Sequence, residues 1–137
     1  MNASPSLALR WPLLLGAVFA LTAVMAGAFG AHGLRAVVSE RSLEIFQTGA
    51  TYQMYHALAL CGLSLLSGFN LSQRLLAQAA GFMVAGILVF SGSLYLLVLT
   101  ATPALGAVTP IGGVCFMVGW ALLIASALQR PPANEES

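Results

Sequence analysis

The chain contains no lysine and no aspartate; its charge rests on five arginines and four glutamates, so charged residues make up 7% of 137. A water-soluble domain carries about 25% charged residues, and a solvated globular surface is therefore excluded. The formal net charge of +1 is too small for a basic patch that would hold a nucleic-acid backbone, so no nucleic-acid partner is expected. The two cysteines, Cys61 and Cys115, form no CxxC pair, and with His32 and His56 they make no recognisable ligand pattern. Neither a metal nor a cofactor is expected. No acidic residue interrupts the apolar stretches, Ser64, Ser91 and Ser93 have no acid–base partner nearby in sequence, and no nucleophile elbow or phosphate-cradling glycine loop occurs. These absences point away from an enzyme.

What the chain has instead is apolar length, with 59% hydrophobic residues. The charges fall at Arg10, Arg35, Glu40, Arg41, Glu44, Arg74, Arg130, Glu135 and Glu136, leaving neutral intervals at 11–34, 45–73 and 75–129. Arginine and glutamate are costly in hydrocarbon, and a helical crossing needs about 20 apolar residues. The first two intervals predict helices over 11–31 and 50–69. Thr100–Ala101–Thr102–Pro103, Gly106 and Thr109–Pro110 break the third interval, giving helices over 75–99 and 107–128. Runs such as GILVF lack the alternation of barrel strands, so helices are the way to satisfy the backbone in lipid. The expected fold is an all-α integral membrane protein, a compact four-transmembrane-helix bundle forming one domain, with a polar tail over 129–137. Arg10 ahead of an apolar run that reaches Ala26–Gly27–Ala28 also resembles a secretory signal. That run exceeds the usual core of about 7–15 residues, so the first helix is expected to be retained.

Between the first two helices a short interfacial helix is expected over 39–49, capped by Ser39 with Glu40 in its first turn, and running on into the second helix. Four crossings place both termini on one side with Arg10, Arg74 and Arg130, against Arg35 and Arg41 on the other; the arginine excess favours cytoplasmic termini. Helix association in lipid depends on small residues, which recur at Gly16, Gly27, Gly30, Gly81, Gly92, Gly112, Gly113 and Gly119. An offset of 65 residues superimposes Gly16 on Gly81 and Gly27 on Gly92, a faint sign of parallel duplication.

The polar residues inside these stretches form the candidate cluster: His32, Tyr52, Gln53, Tyr55, His56, Ser91, Ser93 and Tyr95. His32 is read as capping the last carbonyls of helix one, with Gly33 ending that helix. His56 should face protein or water rather than lipid. It is expected to point toward helix one or three, with Ser91, Ser93 and Tyr95 as partners. Tyr52 and Tyr55 suit an interfacial aromatic belt, and Trp120 suits packing against another helix.

GAFGAHGL at 27–34, FQTGATYQMYHALAL at 46–60, FSGSLYLLVLT at 90–100 and LGAVTPIGG at 105–113, followed by Gly119 and Trp120, occur in that order. As a set they resemble the small membrane proteins grouped as domain of unknown function 423. The resemblance implies a compact four-helix protein of the bacterial cytoplasmic (inner) membrane and implies no reaction. Its characteristic positions fall on Gly30, His32, Gly33, Gln53, Tyr55, His56, Ser91, Ser93, Tyr95, Thr109, Pro110, Gly112 and Gly113. Gly49, where a better helix former is expected, is a departure that bears on how straight the second helix begins.

The leading functional expectation is a non-enzymatic structural, assembly or partner-binding protein in the bilayer. Membrane lipids are its surroundings, and a second copy or another membrane protein is its candidate partner. The alternative is a small solute or proton permease or channel subunit with His56 near the pathway. A lipid-binding protein is the third reading.

Overall fold

Helix starts follow the local chemistry. Pro12 sits in the first turn of α1 (Trp11–His32), where a missing amide costs nothing. At the far end Gly33 donates its N–H to the Phe29 carbonyl at 2.8 Å. With φ at −91° it leads on into a right-handed 3-10 turn, Leu34–Ala36, rather than reversing the chain. Ser39 then caps the next helix by accepting from the Ser42 amide at 3.2 Å. The computed structural model describes residues 8–129; Arg130 and the rest of the expected polar tail lie outside them.

α2 (Glu40–Leu66) runs 27 residues without a break. The segment expected as a short helix over 39–49 is the first part of α2, continuous with the second helix as expected, while the second helix ends at Leu66 and not at 69. Gly49 does not break it; a Cβ there would come within 2.9 Å of the Tyr95 ring, so the missing side chain makes room for a neighbour.

The third expected helix, 75–99, is one continuous path but not one α-helix. α3 (Gln73–Gly86), capped by Ser72, gives way to a π-helical segment, Ile87–Ser91, and then to α4 (Gly92–Leu99). α4 ends on Thr100 with Ala101 at φ 48°. The Ala101 amide donates to the Val98 carbonyl at 3.4 Å and the Thr102 amide to that of Leu97 at 3.0 Å, the paired bonds of a Schellman ending. A 3-10 turn over Pro103–Ala107 follows. α5 (Thr109–Leu128) then begins two residues later than expected, with Pro110 in its first turn.

α2 lies at the centre, against α1 on one side and α3, the π segment and α4 on the other, while α5 packs on α3 and the π segment. The main core joins Leu60 and Leu63 of α2 to Leu76, Ala79, Ala80, Met83 and Ile87, and to Phe116 of α5. A smaller core of Leu34, Phe46 and Val98 closes the end near the α1–α2 turn. Three helical stretches are long and apolar enough to cross a membrane, Trp11–Ala36, Gln73–Leu99 and Pro103–Leu128. The architecture is an all-α, multi-pass bundle. α2 has the length but carries the polar residues Tyr52, Gln53, Tyr55 and His56 in its middle.

Of the glycines expected at helix contacts, Gly16, Gly30, Gly112 and Gly119 meet neighbours. A Cβ on Gly16 would approach the Ala57 carbonyl to 2.7 Å, and one on Gly112 would run into the Phe90 backbone. Gly27, Gly81, Gly92 and Gly113 have open space where a Cβ would stand and make no such contact within the chain. Gly86, against the Phe116 ring, is a close approach that spacing did not single out. The 65-residue offset consequently aligns unlike environments: Gly16 is buried against α2, whereas its counterpart Gly81 is exposed.

Candidate functional site

Gln53 and His56 are three positions apart on α2, about 60° around the helix from each other, and that angle sends them to different neighbours. Gln53 is 5% exposed and bridges α1 and α4. Its amide nitrogen donates to the Phe19 carbonyl at 2.8 Å and to Thr22 Oγ1 at 2.7 Å, and its oxygen accepts from the Tyr95 hydroxyl at 2.7 Å.

His56, also 5% exposed, faces α5. The expectation that it would meet helix one or three, and Ser91, Ser93 or Tyr95, is corrected here; the angular offset from Gln53 is the reason. Its Nδ1 lies 2.7 Å from the Tyr52 carbonyl, which accepts only, so Nδ1 carries the proton. Nε2 then accepts from the Trp120 indole N–H at 3.1 Å. Both ring nitrogens are used, and the bonding pattern is that of the neutral imidazole. The ring stacks on Phe116 with centroids 3.5 Å apart and planes 9° apart. Tyr52 extends this aromatic group to Phe90, at 4.7 Å between centroids.

The two serines sit where the π segment rejoins the α-helix. Ser91 donates to the Gly49 carbonyl of α2 at 2.6 Å. Ser93 donates to the Phe90 carbonyl at 2.9 Å and lies 2.6 Å from Thr109 Oγ1, which ties α4 to the start of α5. Ser91, Ser93, Gln53, Tyr95 and His56 are thus all interhelical, but as separate ties and not as one pocket. His32 is exposed at the end of α1 and takes no part; Tyr55 is exposed as well, and Tyr52 contributes its ring and its backbone carbonyl. Thr22, Thr109 and the Phe19 carbonyl are partners that sequence reading passed over. Thr22 stands three residues before Met25 in an otherwise apolar helix, and a lone hydroxyl there carries no sign of its partner.

At the other end of the bundle Ser64 donates to the Leu9 carbonyl and Ser67 accepts from the Leu9 amide at 3.1 Å, pinning the chain ahead of α1 to the end of α2. Among the described residues no group of three His, Cys, Asp or Glu side chains could share a metal, and both cysteines are free. A groove of about 270 Å³ opens outward over Phe19, Thr22, Gln53 and Tyr95, whose polar atoms already bond one another.

The match to known proteins covers the same region. Residues 26–113 fit the family described as "Protein of unknown function (DUF423)". A UPF0382 membrane protein of Staphylococcus aureus (strain bovine RF122 / ET3-1) is 47% identical over 118 residues, covering 85% of this chain and 94% of its own. UPF0382 membrane protein YwdK of Bacillus subtilis is 43% identical over 117 residues, 85% of this chain and 95% of its own. No solved structure matches. These relatives are bacterial membrane proteins, and with the apolar helices they place the chain as a multi-pass protein of the bacterial cytoplasmic membrane, its outer helix faces in contact with lipid. The family match over residues 26–113 and relatives 43–47% identical over 85% of the chain lead to one assignment: the chain belongs to the DUF423/UPF0382 family of membrane proteins.

Proposed function

We propose that this protein is a non-enzymatic structural or assembly component of the cytoplasmic membrane, a four-crossing bundle whose intramembrane polar residues act as fasteners. One observation carries the reading: His56 has both nitrogens engaged, by the Tyr52 carbonyl and the Trp120 indole, with its ring face on Phe116. A group that relays protons needs a donor–acceptor path beyond itself, and here the path ends on an indole that only donates. Gln53 is similarly occupied on three sides.

α2 serves as the fourth crossing. At about 1.5 Å per residue it extends about 40 Å, beyond a hydrocarbon core of about 30 Å, which leaves the exposed Arg41 and Glu44 outside. Its buried polar groups face protein, so their polarity does not argue against insertion. Arg10, Arg74 and Arg130 favour placing both ends of the chain in the cytoplasm.

The permease reading is tested in proteoliposomes holding a pH-sensitive dye. Wild-type protein and His56→Asn should show the same proton leak as protein-free vesicles, while the substitution lowers the thermal midpoint in detergent. A wild-type leak above the protein-free level that His56→Asn abolishes with the fold intact would overturn the structural reading.

A further inference from the structure

The end of the bundle formed by the α1–α2 turn carries a hollow of mixed chemistry. It is open to the surface, holds about 430 Å³ and is lined by Ala31, Arg35, Val38, Glu40, Leu43 and Gln47, with Arg35, Glu40 and Gln47 exposed. It exists because α1 stops at His32, Leu34 anchors the following turn at 4% exposure, and Ser39 restarts the helix. That reversal carries Arg35 and Glu40 to the same hollow from opposite sides of the turn. They do not neutralise each other: among the described residues the ion pair is Arg41 with Glu44 at 3.8 Å, on the exposed face of α2. The hollow therefore offers a guanidinium, a carboxylate and the Gln47 amide beside an apolar wall of Ala31, Val38 and Leu43.

These groups select their ligand. A simple anion would suit Arg35 but meet Glu40, and a simple cation the reverse. A soluble zwitterion would leave the apolar wall unused. The position, at the end of a membrane-crossing helix, is where lipid headgroups lie. We propose that this hollow binds the headgroup of a zwitterionic phospholipid bearing a primary ammonium. Arg35 holds the phosphate through its paired N–H groups, Glu40 accepts from the ammonium, and Ala31, Val38 and Leu43 contact the glycerol and the first methylenes. A quaternary ammonium has no N–H for Glu40, and a glycerol headgroup has no cation, so both should bind less. The inference goes beyond the assembly reading and rests only on the membrane placement.

Delipidated full-length protein in detergent, titrated by native mass spectrometry, tests it. The probes are phosphatidylethanolamine, phosphatidylcholine and phosphatidylglycerol of equal chain length, and free phosphoethanolamine. Phosphatidylethanolamine should bind at least tenfold tighter than the other lipids. Arg35→Ala should remove that binding tenfold or more, Arg35→Lys should keep part of it, and Glu40→Gln should erase the preference over phosphatidylglycerol. Arg41→Ala, off the hollow, should change nothing. Equal retention of the three lipids, or retention indifferent to Arg35 in variants that keep wild-type circular dichroism, would overturn the proposal. Phosphoethanolamine competing as well as the lipid would overturn the lipid assignment in favour of a soluble ligand.

Discussion

Single residues decide how tightly this bundle is held. Hydrogen bonds between membrane helices average about 0.6 kcal/mol and reach about 1.7, less than a buried bond in water-soluble cores, because the separated helices also find partners. Gln53 makes three such contacts. A double-mutant cycle on Gln53→Ala and Tyr95→Phe, read by SDS unfolding followed by circular dichroism, should return a coupling of about 0.6–1.7 kcal/mol. Additive effects would mean that the bond contributes nothing. The glycines separate in the same assay. Gly112→Ala drives a methyl into the Phe90 backbone, which cannot swing aside as a side chain could, and should cost about 1–3 kcal/mol. Gly81→Ala meets open space and should be neutral or up to about 1 kcal/mol stabilising through helix propensity. Ala101 is the reverse case, a methyl-bearing residue at φ 48°. Ala101→Gly should stabilise the α4 ending by about 1 kcal/mol, since the left-handed conformation costs an L-residue roughly that much.

At the scale of elements, the π segment sets the angular register of everything after it. A π turn accommodates one more residue than an α turn over the same rise. Ile87–Ser91 thereby lets Ser91 reach Gly49, Ser93 reach Thr109 and Tyr95 reach Gln53 from one path. Inserting an alanine after Val89, one residue more than the π turn already absorbs, should rotate α4 by about 100° relative to α3. Three interhelical bonds would then be lost, about 2 kcal/mol at the average value, and the Gln53–Tyr95 coupling should vanish from the cycle above. An insertion variant that kept the coupling would show that register is set elsewhere, whereas deleting Val89 should leave an α turn with α4 in place and the coupling intact. The wide aromatic contact of His56 with Phe116 belongs to this scale too, since α5 meets α2 mainly there while packing along α3.

For the whole molecule, the path of α2 sets the number of crossings. With Cys61 and Cys115 replaced by alanine, single cysteines at Ser39, Asn70 and Thr102 report on three connections. Membrane-impermeant thiol reagents should reach positions 39 and 102 from outside the cell and position 70 from the cytoplasm. Labelling of 39 and 70 from the same side would place α2 along the surface and leave three crossings. The outward surface of the bundle, with Leu14, Leu21 and Met25 on α1 and Ile111, Met117 and Ile124 on α5, all exposed, is mainly apolar, and the exposed Thr22 turns its hydroxyl back onto the Val18 carbonyl of its own helix at 3.0 Å.

The apolar runs left between nine charges were enough to determine that the chain is helical, apolar and membrane-embedded, and roughly where its helices lie, because hydrocarbon excludes ionised groups and proline and serine act on the backbone locally; the end of α2 and the starts of α3 and α5 still fall two or three residues from the expected positions. Ser39 as a cap and the break at residues 100–103 are legible for the same reason. The direction of His56 was not, nor which four of the eight expected glycines meet a neighbour, nor the π segment. Those depend on angles between helices, and a stripe of small residues looks the same in sequence whether it faces α2, as Gly16 does, or open space, as Gly81 does. Only the packed structure decides which face of each helix is inside, since one residue gained or lost along a helix turns every later side chain toward a different neighbour.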